Sequence, residues 1–134
     1  MKTIEGDLTA TTARFAIVAG RFNGFVVESM VAAAVDTLRR HGVDEKGITL
    51  VRVPGAFELP IAVGKIIDQG NVDAVITLGA VIRGSTPHFE YVASQCASGI
   101  AAISRETGVP VSFGVLTTET VSYTHLTLPT NREV

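Results

Sequence analysis

The feature that most constrains this chain is the spacing of four continuous apolar, β-branched runs: Arg14–Ala19, Ile48–Val53, Ala74–Leu78 and Pro110–Leu116. They do not alternate apolar with polar, which is the pattern of strands covered on both faces in a parallel sheet. Parallel neighbours need crossover connections, and the segments between these runs have helical spacing. Val27, Met30, Ala34 and Leu38 recur every three or four residues, and Gly42 supplies a stop. Phe57 to Ile67 is apolar nearly all round, which predicts a buried helix ended by Gly70. Phe89, Val92, Cys96, Ile100 and Ile103 form a third stripe, closed by Gly108 and Pro110. The order β-α-β-α-β-α-β predicts an α/β three-layer sandwich with a four-stranded parallel sheet and right-handed crossovers. The mixed polarity of residues 1–13 predicts an arm or a short edge strand.

Composition then sets limits. A length of 134 residues fits one domain around one core. With 46% hydrophobic and 18% charged residues, the chain is too apolar to be disordered, and its wealth of Val, Ile and Ala fits a surface partly hidden in an oligomer. The formal net charge is −2. The tightest basic group, Arg39-Arg40-His41, reads as a helix end, so no nucleic-acid partner is expected. There is no Lys/Arg-headed apolar stretch at the N-terminus and no apolar run long enough to span a bilayer; no membrane partner is expected and the cytoplasm is the default location. The single cysteine, Cys96, excludes an internal disulfide and a cysteine-based zinc cluster, and its place in an apolar stripe reads as inert core.

In an open α/β sheet, ligands bind beyond the carboxyl ends of the strands. Those ends hold Gly20-Arg21-Phe22-Asn23, Pro54-Gly55-Ala56-Phe57-Glu58-Leu59-Pro60, Gly79 to His88, and Leu116-Thr117-Thr118-Glu119. The unusual residues of the chain gather on one edge of the predicted sheet. Gly84-Ser85-Thr86-Pro87-His88 reads as a capped helix start, whose free amides and dipole suit an anion; an ordinary cap with nothing bound is an equal alternative. His88 falls in the first turn of that helix and titrates near neutrality, so it can give and take a proton; taken alone, a surface histidine is the commoner reading. His41 and His125 have poorer claims. A ring at Phe22 can stack on a flat heterocycle or simply staple the helix that follows. Glu58 can accept hydrogen bonds from a ligand or merely favour the helix dipole. The sequence holds no Gly-Lys-Ser/Thr phosphate loop, complete Gly-x-Gly-x-x-Gly, His-Glu-x-x-His or Gly-x-Ser-x-Gly, and gives a metal site little support.

Taken together, Gly20–Asn23, Val53–Pro60, Leu78–Gly84 with Thr86, His88 and Phe89, and Phe113–Glu119 resemble the motifs of the lumazine synthase family in order and spacing. The resemblance implies a flavodoxin-like fold and the condensation of 5-amino-6-(D-ribitylamino)uracil with 3,4-dihydroxy-2-butanone 4-phosphate. The product is 6,7-dimethyl-8-ribityllumazine, a step of riboflavin biosynthesis that uses no cofactor. It further implies that Phe22 stacks on the pyrimidine and that Ala56, Phe57 and Glu58 hold the ribityl chain and ring edge. Ala80, Val81 and Ile82 would offer backbone contacts, Ser85 and Thr86 would bind phosphate, and His88 would shuttle protons. Phe113 would reach into the site of a neighbouring subunit, since family sites lie between subunits of a homopentamer. Whether assembly stops there or proceeds to a capsid-like shell stays open. So do a non-catalytic scaffold, a related riboflavin synthase and a flavin-binding module of the same fold.

The resemblance covers residues 1–120 and then stops. Val121–Val134 is strand-like and turn-like where a helix is expected, and Pro129 breaks it. One codon choice for Val121–Thr130, GTC TCT TAT ACA CAT CTG ACG CTG CCG ACG, resembles the transposon-end adapter of sequencing libraries. The expectation is a lumazine synthase-like domain at 1–120 and a non-native tail at 121–134, with the family's C-terminal helices missing. The family's phosphate-pairing arginine and a following lysine would fall in that tail, with Thr127 near the arginine's place. Losing a charge-assisted phosphate contact costs on the order of 1.5–3 kcal/mol, so weak activity or aggregation is expected of the chain as written.

Overall fold

The computed structural model describes residues 1–83 and 89–118. Four strands, β1 (Phe15–Gly20), β2 (Ile48–Val53), β3 (Ala74–Ile82) and β4 (Val111–Thr118), alternate with three helices, α1 (Gly24–Arg40), α2 (Leu59–Asp68) and α3 (Phe89–Thr107). All pairings are parallel, and the sheet order is β2-β1-β3-β4. This is the α/β arrangement of a flavodoxin-like fold, with the order reversing at β1 and β3.

β1 shows why the sheet must be covered twice. Ile17 and Ala19 join Val27, Val31, Leu38 and Val43 on the α1 side. Ala16 and Val18 join Leu59, Val63, Cys96 and Ile100 on the α2 and α3 side. Alternate residues of a strand point to opposite faces, so a continuous apolar run fills two cores. Thr77 is the buried polar residue of β3, and its hydroxyl is satisfied by donating to the Ser112 carbonyl at 2.7 Å.

Helix α1 carries Arg39 and Arg40 in its last turn, where the dipole favours cations. It stops at Gly42, whose φ of 88° lies in the left-handed region. Residues 1–13 form no strand. They run as an arm held at this helix end: Ala10 N donates to the His41 carbonyl at 2.9 Å, and His41 Nδ1 lies 2.6 Å from the Leu8 carbonyl. A carbonyl only accepts, so Nδ1 carries the proton.

Two expectations need correction. Among the described residues the outer strands are not covered on both faces: Leu50 of β2 and Phe113 and Leu116 of β4 are exposed, because α1, α2 and α3 leave part of each margin open. The stretch Phe57 to Ile67 is not one fully buried helix either. A 3-10 turn (Ala56–Glu58) precedes α2, and Ile61 is 71% exposed while Leu59 and Val63 are sealed in. An apolar sequence on all sides does not require burial on all sides.

Candidate active site

β3 is longer than its apolar run suggested, and the difference shapes the site. Its pairing with β1 ends at Leu78, whereas its pairing with β4 continues through Gly79, Ala80, Val81 and Ile82. The residues expected after the strand are therefore its last turn of pleat, held by β4. On the β1 side the chain has already left the sheet at Gly20. A notch opens between the overhanging end of β3 and the two loops that follow β1 and β2, which is where parallel sheets place their ligands.

Those two loops are tied to each other. Arg21 N donates to the Val53 carbonyl at 2.7 Å, and Phe22 N donates to the Pro54 carbonyl at 3.1 Å. Asn23 then turns the chain with φ 58° and ψ 53°, a left-handed conformation that asparagine tolerates better than most residues. Its carbonyl accepts from Val26 N and Val27 N and starts α1. Its Nδ2 is buried with no partner among the described residues. The turn leaves Phe22 projecting at the rim, 48% exposed.

The resulting cleft has a volume of about 380 Å³ and is mostly apolar. It is lined by Phe22, Ala56, Phe57, Glu58, Ala80, Val81 and Ile82, joined by Gly55 and Val92. That size suits a small heterocyclic ligand. Glu58 is half-buried at the end of the 3-10 turn, where its N–H donates to the Gly55 carbonyl. Its carboxylate caps no helix and has no hydrogen bond or ion pair with a described residue. It stands as an acceptor on an apolar wall. Across the mouth, Phe57 and Tyr91 approach with ring centroids 6.4 Å apart and a 32° tilt. Arg83 lies over the Phe89 ring at 5.6 Å and reaches Glu90 at 3.8 Å, linking the end of β3 to the start of α3.

Phe113 is not part of this cleft. It pairs with Thr77 in the middle of β4 and is 45% exposed at the sheet margin. Ser85, Thr86 and His88 lie outside the described residues, as does the segment 119–134. Sequence reasoning missed two lining residues. Val92 was read only as core stripe, yet it sits in the first turn of α3 beneath the notch. Gly55 lies inside a strand-end motif that by itself gives it no role. Neither carries a signal in the sequence: Val92 reaches the cleft from α3, and Gly55 lies beside Phe22 of a separate loop, contacts that only the fold makes.

Beside the cleft, Arg52 of β2 makes a two-pronged ion pair with Glu28 of α1. The Arg52 hydrogen bond holds the Glu28 carboxyl below its usual range and raises the guanidinium in turn. Cys96 is wholly buried in the α2 and α3 core, and burial pushes its thiol up to about 11, which disfavours the reactive thiolate. Among the described residues no group of three or more His, Cys, Asp or Glu could hold a metal, and no helix is long and apolar enough to cross a membrane.

The family model described as 6,7-dimethyl-8-ribityllumazine synthase matches residues 12–125. The match spans every described strand and helix and every lining residue of the cleft. On that match, with a parallel sheet of order β2-β1-β3-β4 beneath it, the chain belongs to the 6,7-dimethyl-8-ribityllumazine synthase family.

Proposed function

We propose that the chain condenses 5-amino-6-(D-ribitylamino)uracil with 3,4-dihydroxy-2-butanone 4-phosphate to give 6,7-dimethyl-8-ribityllumazine, phosphate and water. The observation that carries this reading is the convergence of Phe22, Ala56–Glu58 and Ala80–Ile82, from three separate strand ends, on one apolar cleft whose carboxylate, Glu58, pairs with no described residue. A flat, electron-rich pyrimidine fits the face of Phe22. The hydroxyls of a ribityl chain are donors for Glu58. Residues at the overhanging end of β3 offer backbone polar groups to the ring edge.

The reaction needs an amine and a ketone joined as an imine with loss of one water, phosphate expelled, and a ring closed with loss of a second water. Each step moves protons, and none demands a nucleophile from the protein. Holding two reactive partners in register can then supply much of the rate. In this reading Ser85 and Thr86 bind the phosphate and His88 carries protons. Ile82 precedes their segment in the chain and Val92 follows it, and both line the cleft. Phe113, at the sheet margin and away from its own cleft, completes the cleft of a neighbouring copy in a pentamer. Residues 1–120 form the functional unit and 121–134 an added tail; finding codons 121–130 continuous with the gene in the source genome would overturn the second point.

Lumazine formation, followed by its absorbance with both substrates and a His88→Ala control, tests the function. Product from the chain, slowed about 10²–10⁴-fold in the control, is expected of a general acid–base residue. If the chain as written is inactive, a complete family C-terminus is joined after Thr120. No product from that fusion would overturn the assignment.

A further inference from the structure

We propose that Gly55 sets which ligands the cleft admits: its missing side chain is the gap through which the ribityl chain leaves the ring. The inference rests on the function proposed above and concerns a residue to which that function gives no role.

Gly55 stands between the two groups that grip the ligand. A Cβ built on it would lie 3.5 Å from Glu58 Oε1 and 4.0 Å from Phe22 Cβ. These are ordinary van der Waals distances, so the empty cleft tolerates a methyl group there. The backbone tolerates it as well, since φ of −161° is extended and open to any residue. Neither backbone strain nor crowding by a described residue requires glycine at this position. What the methyl group would occupy is the space between the ring platform and the carboxylate. A ligand whose ring rests on Phe22 and whose hydroxyls reach Glu58 must cross that space. The methyl group would also take one approach direction to Oε1 away from a hydroxyl donor.

Gly20 provides the contrast. A Cβ there would meet the backbone of Gly55 at 3.4 Å, and Gly20 does not line the cleft. Alanine at 20 presses on the same loop but puts no atom in the ligand's path. The pair separates an occupied gap from a displaced loop.

The experiment is fluorescence titration with 6,7-dimethyl-8-ribityllumazine and with 6,7-dimethyllumazine, which lacks the polyol, alongside thermal melts. The wild-type chain is expected to bind the ribityl compound. Gly55→Ala is expected to weaken it at least tenfold, to weaken the polyol-free ring less, and to melt at the same temperature or higher. Gly20→Ala is expected to bind within twofold of wild type. Binding within twofold by Gly55→Ala would overturn the proposal, as would equal losses for both ligands or equal losses in both variants. A lowered melting temperature in Gly55→Ala would overturn it too, because the methyl group would then not fit the free loop. A wild-type chain that binds neither compound would instead remove the proposed function on which the inference stands.

Discussion

β1 and β4 run parallel in one sheet, the first beside its centre and the second at its margin, and their side chains meet different surroundings. From Ala16 to Ala19 every residue of β1 is fully buried, with strands on both sides and helical cores on both faces. On β4, Val111 and Val115 pack against the α2 and α3 core, but Phe113 and Leu116 remain 45% and 40% exposed. Both runs are apolar in sequence. The contrast teaches that an apolar run states a demand for cover, and that the rest of the fold decides how far the demand is met. β1 is satisfied within the chain. β4 keeps apolar surface for something beyond the described residues.

The largest effect should come from the centre. Ile17→Ala removes a fully buried side chain from the α1-side core and is expected to cost about 2–5 kcal/mol in denaturant unfolding. A loss under about 1 kcal/mol would break the contrast, because the centre would then be no better packed than the margin. Gly114→Ala sharpens it from the other side. A Cβ at Gly114 would sit 2.8 Å from the Thr77 carbonyl oxygen and 2.9 Å from Leu78 Cδ2, so β4 must shift against β3 at a cost of about 1–3 kcal/mol. The margin is thus tolerant in its outward side chains and intolerant in its backbone contact.

Phe113→Ala, next to that glycine, should change the stability of the single chain by about 1 kcal/mol or less. If β4 serves as a contact between copies, sedimentation velocity of the same variant should show smaller species than wild type. An unchanged distribution would leave the exposed ring without that use. The smallest effect is expected at the opposite margin, where Glu28 of α1 holds Arg52 of β2. The Glu28 carboxyl is lowered from 4.5 by its Arg52 hydrogen bond, so its contribution is fully present above pH 4.5 and fades as the pH falls through the lowered value. Melts of Glu28→Gln and wild type should therefore differ slightly at pH 7 and converge in acid; a gap that widens in acid would reverse the sign.

Particular residues show how much of the site was legible. Phe22 and Ala56–Glu58 could be found from sequence because each directly follows an apolar run, and a parallel sheet puts such positions on one edge. Ala80–Ile82 were found as residues but not as strand, since the run passes through Gly79 without a break that marks where pairing ends. The partner on only one side decides that, through the register of Gly79 with Val115 and Ile82 with Thr118. Gly55 and Val92 could not be assigned to the cleft, because their nearness to Phe22 and Ile82 arises from elements distant in sequence. The exposure of Ile61 was equally hidden: its apolar character says nothing of whether another helix covers it.

What the sequence determined by itself was local and periodic. The apolar runs specify strands, the three- and four-residue stripes specify α1 and α3, and glycines with positive φ at 42, 70 and 108 mark where helices stop. Hydrophobic spacing and backbone freedom act over a few residues and can be read from the chain. The tertiary structure decided the register that lets β3 overhang β1, the tie between the loops after β1 and β2, and the gap at Gly55 between Phe22 and Glu58. These depend on atoms brought together across the fold, where a shift of one residue moves every side chain to the other face.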